Sequence, residues 1–146
     1  MNKWKHLFLD GEYKQREKIL SGLTLEQVKH QPSERMHSIY EEVWHAARWQ
    51  TIIVERDEAL YKTWQNSELY PSQPPAKEEE WSDIVADFLL GLERALQLAA
   101  SPEQLSMEVE PGVTMAEVLE SLAVHNAYHM GKIVALRQMM GAWPPK

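Results

Sequence analysis

The stretch TMAEVLESLAVHNAYHMGKIVALRQMMG, Thr114–Gly141, decides the fold because it has the pattern of one long amphipathic helix. Thr114 and Glu117 form a capping box at its start, and Gly141 is the expected left-handed stop at its end. Its apolar stripe recurs every three or four residues and comprises Val118, Leu122, His125, His129, Ile133, Leu136 and Met140. Two histidines therefore lie on the face that we expect to point into a helical core.

Two imidazoles on a buried helix face need partners, because burying an unsatisfied polar group costs free energy. A metal ion would satisfy them, since residues four apart on a helix project side by side. The pair alone is a weak motif, and a satisfied core histidine remains the alternative for each residue. The zinc-protease motif is excluded, because Asn126 stands where that motif needs glutamate after the first histidine.

Three further long helices are predicted upstream of this one. The first runs from about Lys3 to Leu20 and has a polar middle. The second begins with a capping box at Ser38 and extends to about Leu60, and the third runs from the region 77–81 to about Ala100. A short capped turn over 24–29 precedes the second helix.

A connection of about 15 residues joins the second and third helices and is long for a helical bundle. It holds Asn66, Ser67 and three prolines, and Tyr61, Trp64 and Tyr70 supply aromatic surface that could fold back onto the bundle. Such a link suits either a crossover or a lid over a site. With no strand pattern or repeat visible, we expect residues 1–146 to form one all-α domain, a four-helix bundle.

The bulk composition excludes several classes of function. The 146 residues are 44% hydrophobic with a formal net charge of −7, which is unlike the basic footprint of a nucleic-acid binder. The absence of cysteine excludes disulfides and thiolate ligands. Neither a signal peptide nor a run of about 18 apolar residues is visible. We therefore expect a cytoplasmic protein that acts on small molecules, without nucleic-acid or membrane partners.

A third metal ligand has to come from the remaining four histidines. His45 lies in the middle of the second helix, from which it can point into the bundle core where facing helices build metal sites. His6, His30 and His37 lie near a ragged end or in the broken segment before that helix, where surface positions are the rule. A di-iron carboxylate site is disfavoured, because neither His125 nor His129 follows a glutamate by three residues.

The segment 125–133, followed by Leu136-Arg137 and Gly141-Ala-Trp-Pro144, resembles the C-terminal helix of the DinB/YfiT-like metalloenzymes. The stretch 38–49 resembles that family's second helix. The resemblance implies a four-helix bundle of variant up-and-down topology that often forms homodimers. It also implies that His45, His125 and His129 bind one divalent metal ion. Lys132 departs from the family pattern, since many members have glutamine after the glycine.

The resemblance extends to thiol-dependent S-transferases, among them bacillithiol S-transferases, and to a thiol-dependent isomerase. It therefore implies metal activation of a low-molecular-weight thiol for transfer to an electrophile. A metal-dependent hydrolase of a small substrate is the first alternative, and a non-catalytic metal-binding stress-response bundle is the second. Zinc is the preferred ion, although three imidazoles also suit nickel, manganese or iron.

The surroundings of the ligands are less well determined by the sequence. Glu41 or Glu42 could accept a hydrogen bond from His45, because metal-bound histidines usually donate their second ring nitrogen to an acceptor. Glu42, Tyr128 and Arg137 are the candidates for a general acid or base. Composition favours core or interface roles over a substrate site for five of the tryptophans: Trp44, Trp49, Trp64, Trp81 and Trp143.

Overall fold

A computed structural model of the chain describes residues 1–12, 14–66 and 69–146. Three long helices dominate it, namely α4 (Ile39–Glu55), α6 (Glu78–Ala99) and α8 (Met115–Met139). The shorter elements are α1 (Lys3–Lys5), a π-helical segment (His6–Asp10), α2 (Arg16–Ile19), α3 (Leu25–Lys29), α5 (Glu58–Asn66), α7 (Pro102–Leu105), β1 (Glu108–Glu110) and β2 (Val113–Thr114). The all-α prediction is confirmed. No helix in the described ranges has both the length and the apolarity that a membrane crossing requires.

The helix starts are set by capping boxes at three places, as the sequence predicts. Ser38, Thr24 and Thr114 each accept a hydrogen bond from the backbone three residues ahead, and the Glu or Gln there bonds back to the cap. At the other end of α8, Gly141 adopts a φ of +69°, which a residue with a side chain rarely tolerates. The predicted limits of the last helix and the capped turn over 24–29 are thereby confirmed.

The prediction of one continuous first helix from Lys3 to Leu20 is wrong. The segment breaks after Asp10 into extended backbone at Gly11 and resumes as the single turn of α2. The polar middle of this segment offers no apolar stripe to bury, so tertiary packing cannot hold a helix there. Arg16 instead reaches back across the break, where its guanidinium donates to the carbonyl of Gly11 at 3.0 Å.

The second long helix ends five residues earlier than predicted. Arg56 takes a left-handed conformation with φ of 53° and ends α4, and the Asp57 side chain then accepts a hydrogen bond from the amide of Leu60 at 2.9 Å. A new helix, α5, therefore occupies much of the stretch predicted to be an irregular connection. The predicted loop residue Ser67 lies outside the described residues.

Helices α4 and α6 run parallel to each other. Gln50 of α4 contacts Phe88 of α6, and further along both helices Glu55 pairs with Arg94. Two parallel helices that follow each other in sequence need a connection that returns along the length of the bundle. The long stretch between α4 and α6 is thus the crossover that its length suggests.

Helix α8 runs antiparallel to α4. Glu42, near the start of α4, contacts His129 in the second half of α8, whereas Gln50, further along α4, contacts Asn126. The N-terminal segments pack on α8 in the fourth position of the bundle, with Lys3 bonded to Glu120. The bundle therefore consists of three long helices and, in the fourth position, a series of short helical segments at the N-terminus.

A short hairpin was missed at the level of sequence. Strands β1 and β2 pair antiparallel just before α8, with a turn at Pro111 and Gly112, whose φ is +76°. The ladder is too short for the alternation of polar and apolar residues to stand out. Pro102, just after the third long helix, occupies the first turn of the short helix α7.

A buried chain of amide hydrogen bonds crosses the core between the three long helices. Asn126 donates to the side-chain oxygen of Gln50 at 2.9 Å, and Gln50 donates to the carbonyl of Phe88 at 2.8 Å. Both amide side chains are fully buried. Gly91 makes room for Gln50, since a Cβ at that position would lie 2.2 Å from the Gln50 amide nitrogen. The chain of bonds sets how α8 is placed against α4 and α6.

The buried guanidinium of Arg137 lies at the end of the bundle where α8 ends. It donates to the carbonyls of Ile19 and Ser21, each at 2.7 Å, and to that of Ala142 at 2.9 Å. These carbonyls follow helix ends, where backbone acceptors lack helical partners. Arg137 therefore joins the end of α8 to the end of α2, and this bonding gives it a role in the fold.

Substituting Gly91 by alanine should lower the free energy of unfolding by about 1–3 kcal/mol, because the Gln50 amide would have to leave its buried partners. Urea unfolding measures the change. The matched control is the same substitution in a Gln50→Ala background, where alanine should be neutral or stabilise α6 by about 1 kcal/mol. Equal penalties in both backgrounds would contradict the assigned contact.

Candidate metal centre

The structure brings His45, His125 and His129 together. His45 projects from the middle of α4, and the other two project from successive turns of α8. One ring nitrogen from each lies within 4.8 Å of those of the other two. The ring centroids are separated by 4.6 Å between His45 and His129 and by 5.2 Å between His45 and His125. His129 is buried, whereas the other two rings are partly exposed.

The spacing of these nitrogens fits a single ion. The Nε2 atoms of His125 and His129 are 3.2 Å apart. Two nitrogens that each lie about 2.0–2.1 Å from a tetrahedral ion are separated by about 3.3–3.4 Å. The pair is thus close to a metal-binding distance. Three imidazole nitrogens are also a common donor set of zinc sites that keep one position open.

Two of the three rings are held from behind by an acceptor. His45 donates its Nδ1–H to the carbonyl of Leu69 at 2.8 Å, and His129 bonds through Nδ1 to the buried carboxylate of Glu42. A proton on Nδ1 leaves the Nε2 lone pair free for an ion. The expectation that Glu41 or Glu42 serves His45 is wrong: Glu42 bonds His129, and Glu41 caps α4 and contacts His37. Backbone from the crossover supplies the acceptor for His45.

His125 lacks such an acceptor. Its Nδ1 is buried and has no hydrogen-bond partner among the residues that the structure describes. Burial, reinforced by the neighbouring His129 and His45, lowers the pKa of His125 from 6.5 to about 4. Burial also lowers the pKa of His45. Both rings are therefore held in the neutral form that metal ligation requires.

Glu42 is a nearly fully buried carboxylate behind the three rings. Burial raises its pKa, but the hydrogen bond and charge of His129 and the charge of Lys132 outweigh burial, so the net pKa of Glu42 lies below its usual value. Lys132 lies 3.6 Å from Glu42 and over the ring of Tyr128. The lysine that departs from the family pattern thus compensates the one acidic group that contacts the cluster among the residues that the structure describes.

Aromatic side chains from the crossover cover the cluster. Tyr70 lies between His37 and His45, with centroid distances of 3.5 and 4.6 Å. Trp64 packs on His45 at 4.7 Å, and Trp49 lies 6.0 Å from His125. The interpretation of the connection as a cover over a site is supported by these contacts. Trp49 and Trp64 border the cluster, whereas composition favoured purely core or interface roles for them.

Of the other candidate residues, Tyr128 contacts the cluster, with its ring edge-on to His129 at a centroid distance of 5.2 Å, whereas three lie apart from it. His30 is exposed, and His37 stacks on the far face of Tyr70 from His45. Arg137 lies about two turns beyond His129 at the C-terminal end of α8, where its hydrogen bonds go to backbone carbonyls. Within the described residues, no second group of three potential ligands is found that would support a di-iron centre.

Comparison with known proteins supplies the family. A profile of the DinB superfamily matches residues 9–133, which is most of the 146-residue chain and includes all three clustered histidines. The chain belongs to the DinB superfamily. Neither the curated proteins nor the solved structures include a significant match. The family resemblance seen at the C-terminal helix is confirmed, and the DinB-superfamily fold carries a cluster of histidines compatible with metal binding.

Sequence analysis of this DinB-superfamily chain named Glu42 but paired it with the wrong histidine. Its burial could have been predicted, because Glu42 lies one turn from Ile39 and Ala46 on the apolar face of α4. An acidic residue on a buried stripe calls for a partner across the core. The carbonyl of Leu69 leaves no such signal, since any residue has one.

The stability of the metal-free protein should fall as the pH drops from 7 towards 5. An unfolded histidine titrates near 6.5, whereas folded His125 does so near 4, so the unfolded chain binds more protons in this interval. Urea unfolding at the two pH values, in the presence of a chelator, measures the loss. In His125→Ala the loss should be smaller. An identical pH dependence in both proteins would contradict the assigned environment.

Proposed function

We propose that this chain binds one divalent metal ion through His45, His125 and His129 and uses it to transfer a low-molecular-weight thiol to an electrophile. The convergence of the three ring nitrogens, with two of the rings anchored through Nδ1, is the observation that carries the proposal. Zinc is the ion that we propose, with nickel, manganese and iron as the alternatives.

The ion, when bound, supplies a positive charge that lowers the pKa of a thiol at its open position. The three ligands are neutral, so they leave that charge uncompensated, and the charges of Glu42 and Lys132 behind them offset one another. Glu42 keeps the His129 ring in one orientation, and Leu69 does the same for His45. These residues are positioning residues, because each acts through a histidine.

The transfer is a substitution that the chain supports without a base of its own. The thiol proton passes to water, a sulfur–carbon bond forms, and the bond from that carbon to its leaving group breaks with the electron pair on the leaving group. Hydrolysis of a small substrate is the alternative. Thiol transfer is favoured because Glu42, the one carboxylate in contact with the cluster in the described residues, is already bonded to His129.

His125→Ala should abolish stoichiometric metal binding, because it removes one of three ligands. His125 is the cleanest choice, since its Nδ1 has no partner in the described part of the chain that the substitution would leave unsatisfied. The control is His30→Ala, which removes an exposed histidine away from the cluster. Equal zinc content in the two variants, measured by elemental analysis after dialysis, would count against the ligand assignment.

Direct thiol binding should be visible in cobalt-substituted protein. Adding 2-mercaptoethanol should change the visible spectrum, because sulfur would enter the coordination shell of the ion. Ethylene glycol, which has a hydroxyl in place of the thiol, is the matched control and should leave the spectrum unchanged. A protein that binds cobalt but responds to neither compound would favour hydrolysis or non-catalytic metal binding.

The homodimer and the cytoplasmic location stay predictions.

A further inference from the structure

An apolar groove lies beside the histidine cluster, between α4, α8 and the hairpin. Its larger part is a cavity of about 340 Å³ whose apolar walls are Trp49, Ile52, Ile53, Tyr61, Val109 and Val118. A cavity of this size lies within the range of small-molecule sites, which are mostly apolar and concave. The half-exposed walls are large side chains that a bound molecule would remove from water.

The groove continues towards the cluster. A second cavity of about 230 Å³ shares Trp49, Ile53 and Val118 with the first and extends along α8 to Ser121, one turn before His125. Trp49 belongs to both cavities and also packs 6.0 Å from the His125 ring. Tyr61 packs on Trp49 in the wall of the larger cavity, with ring centroids 6.2 Å apart and the two rings inclined at 52°. Trp49 therefore forms the end of the groove nearest to His125, and a molecule in the groove would lie against this ring.

The charges around the groove disfavour an anion. Asp57, Glu58 and Glu110 lie in its lining with Arg56 as the only base. Arg56 is occupied, because its guanidinium lies 3.6 Å from Glu110 and donates to the carbonyl of Val109 at 3.4 Å. The chain as a whole has a net charge of −7. The acidic rim thus disfavours an anionic molecule, and the apolar walls suit an aromatic body.

We propose that this groove binds the electrophile and that the electrophile is an uncharged aromatic molecule. Its ring lies against Trp49, Tyr61 and Val118, and its reactive carbon lies at the Trp49 end, which is the end nearest to His125. This inference rests on the proposed function for the reaction, but binding in the groove can be measured without it.

The test uses 1-naphthalenemethanol as the probe and 1-naphthalenesulfonate as its anionic counterpart on the full-length, zinc-loaded protein. Equilibrium dialysis should show saturable binding of the alcohol and binding at least tenfold weaker for the sulfonate. Val118→Trp, which fills the groove, should weaken binding of the alcohol at least tenfold. Val124→Trp is the matched control on the same helix, because Val124 is 69% exposed and is not in the groove lining.

A measurement on the unaltered protein guards against a variant that fails to fold. In NMR spectra the alcohol should shift the signals of the Trp49 indole and the Val118 methyl groups, while those of Val124 stay in place. Absence of saturable binding, equal affinity in the two tryptophan variants, or tighter binding of the sulfonate would each overturn the proposal.

The failure of this inference is distinguishable from failure of the proposed function. Zinc content and the cobalt response to thiol report on the histidine cluster and do not depend on the groove. A protein that passes both of those tests but does not bind the alcohol leaves thiol activation standing and removes the aromatic substrate. A protein that holds no metal but still binds the alcohol in the groove removes the proposed thiol activation and leaves the aromatic binding site standing.

Discussion

The hydrogen bond between the Glu42 carboxylate and Nδ1 of His129 is the contact on which the rest of the site depends. It joins α4 to α8 across the core, and both side chains are almost completely buried. A buried carboxylate without a partner would cost free energy. The bond therefore fixes both the position of α4 against α8 and the orientation of the His129 ring. It directs Nε2 of His129 to the place where His45 from α4 and His125 from α8 converge. Lys132 lowers the cost further by placing a positive charge near the same carboxylate.

The amide chain through Gln50 and Asn126 has the matching role further along the same pair of helices. It also fixes the position of α6 against these two helices, because Gln50 donates to the carbonyl of Phe88. Asn126 directly follows His125, so the contact that positions α8 in the core also orients the turn that carries His125. Fold and site are therefore built from the same buried polar bonds. The crossover completes the site by supplying Leu69 and Tyr70 to His45.

Local signals account for the parts that the sequence predicts well. The periodic stripe and capping box of α8 involve neighbours within one or two turns, and they predicted both its limits and the shared face of His125 and His129. His45 was placed by the length of its helix and by the family resemblance. The interruption of the first helix was not predicted, because local signals give its two ends but do not show whether its polar middle has a surface to pack against. The acceptors of His45 and His129 depend on residues 24 and 87 positions away, and no local pattern encodes such pairings.

The central claim is that one ion is held by Nε2 of three histidines from two antiparallel helices. Anomalous diffraction from crystals of the zinc-loaded protein, collected on both sides of the zinc absorption edge, tests it most directly. We expect one strong peak about 2.0–2.1 Å from the Nε2 atoms of His45, His125 and His129. Stoichiometric zinc bound at any other place, or the three rings turned so that Nδ1 faces the ion, would contradict it.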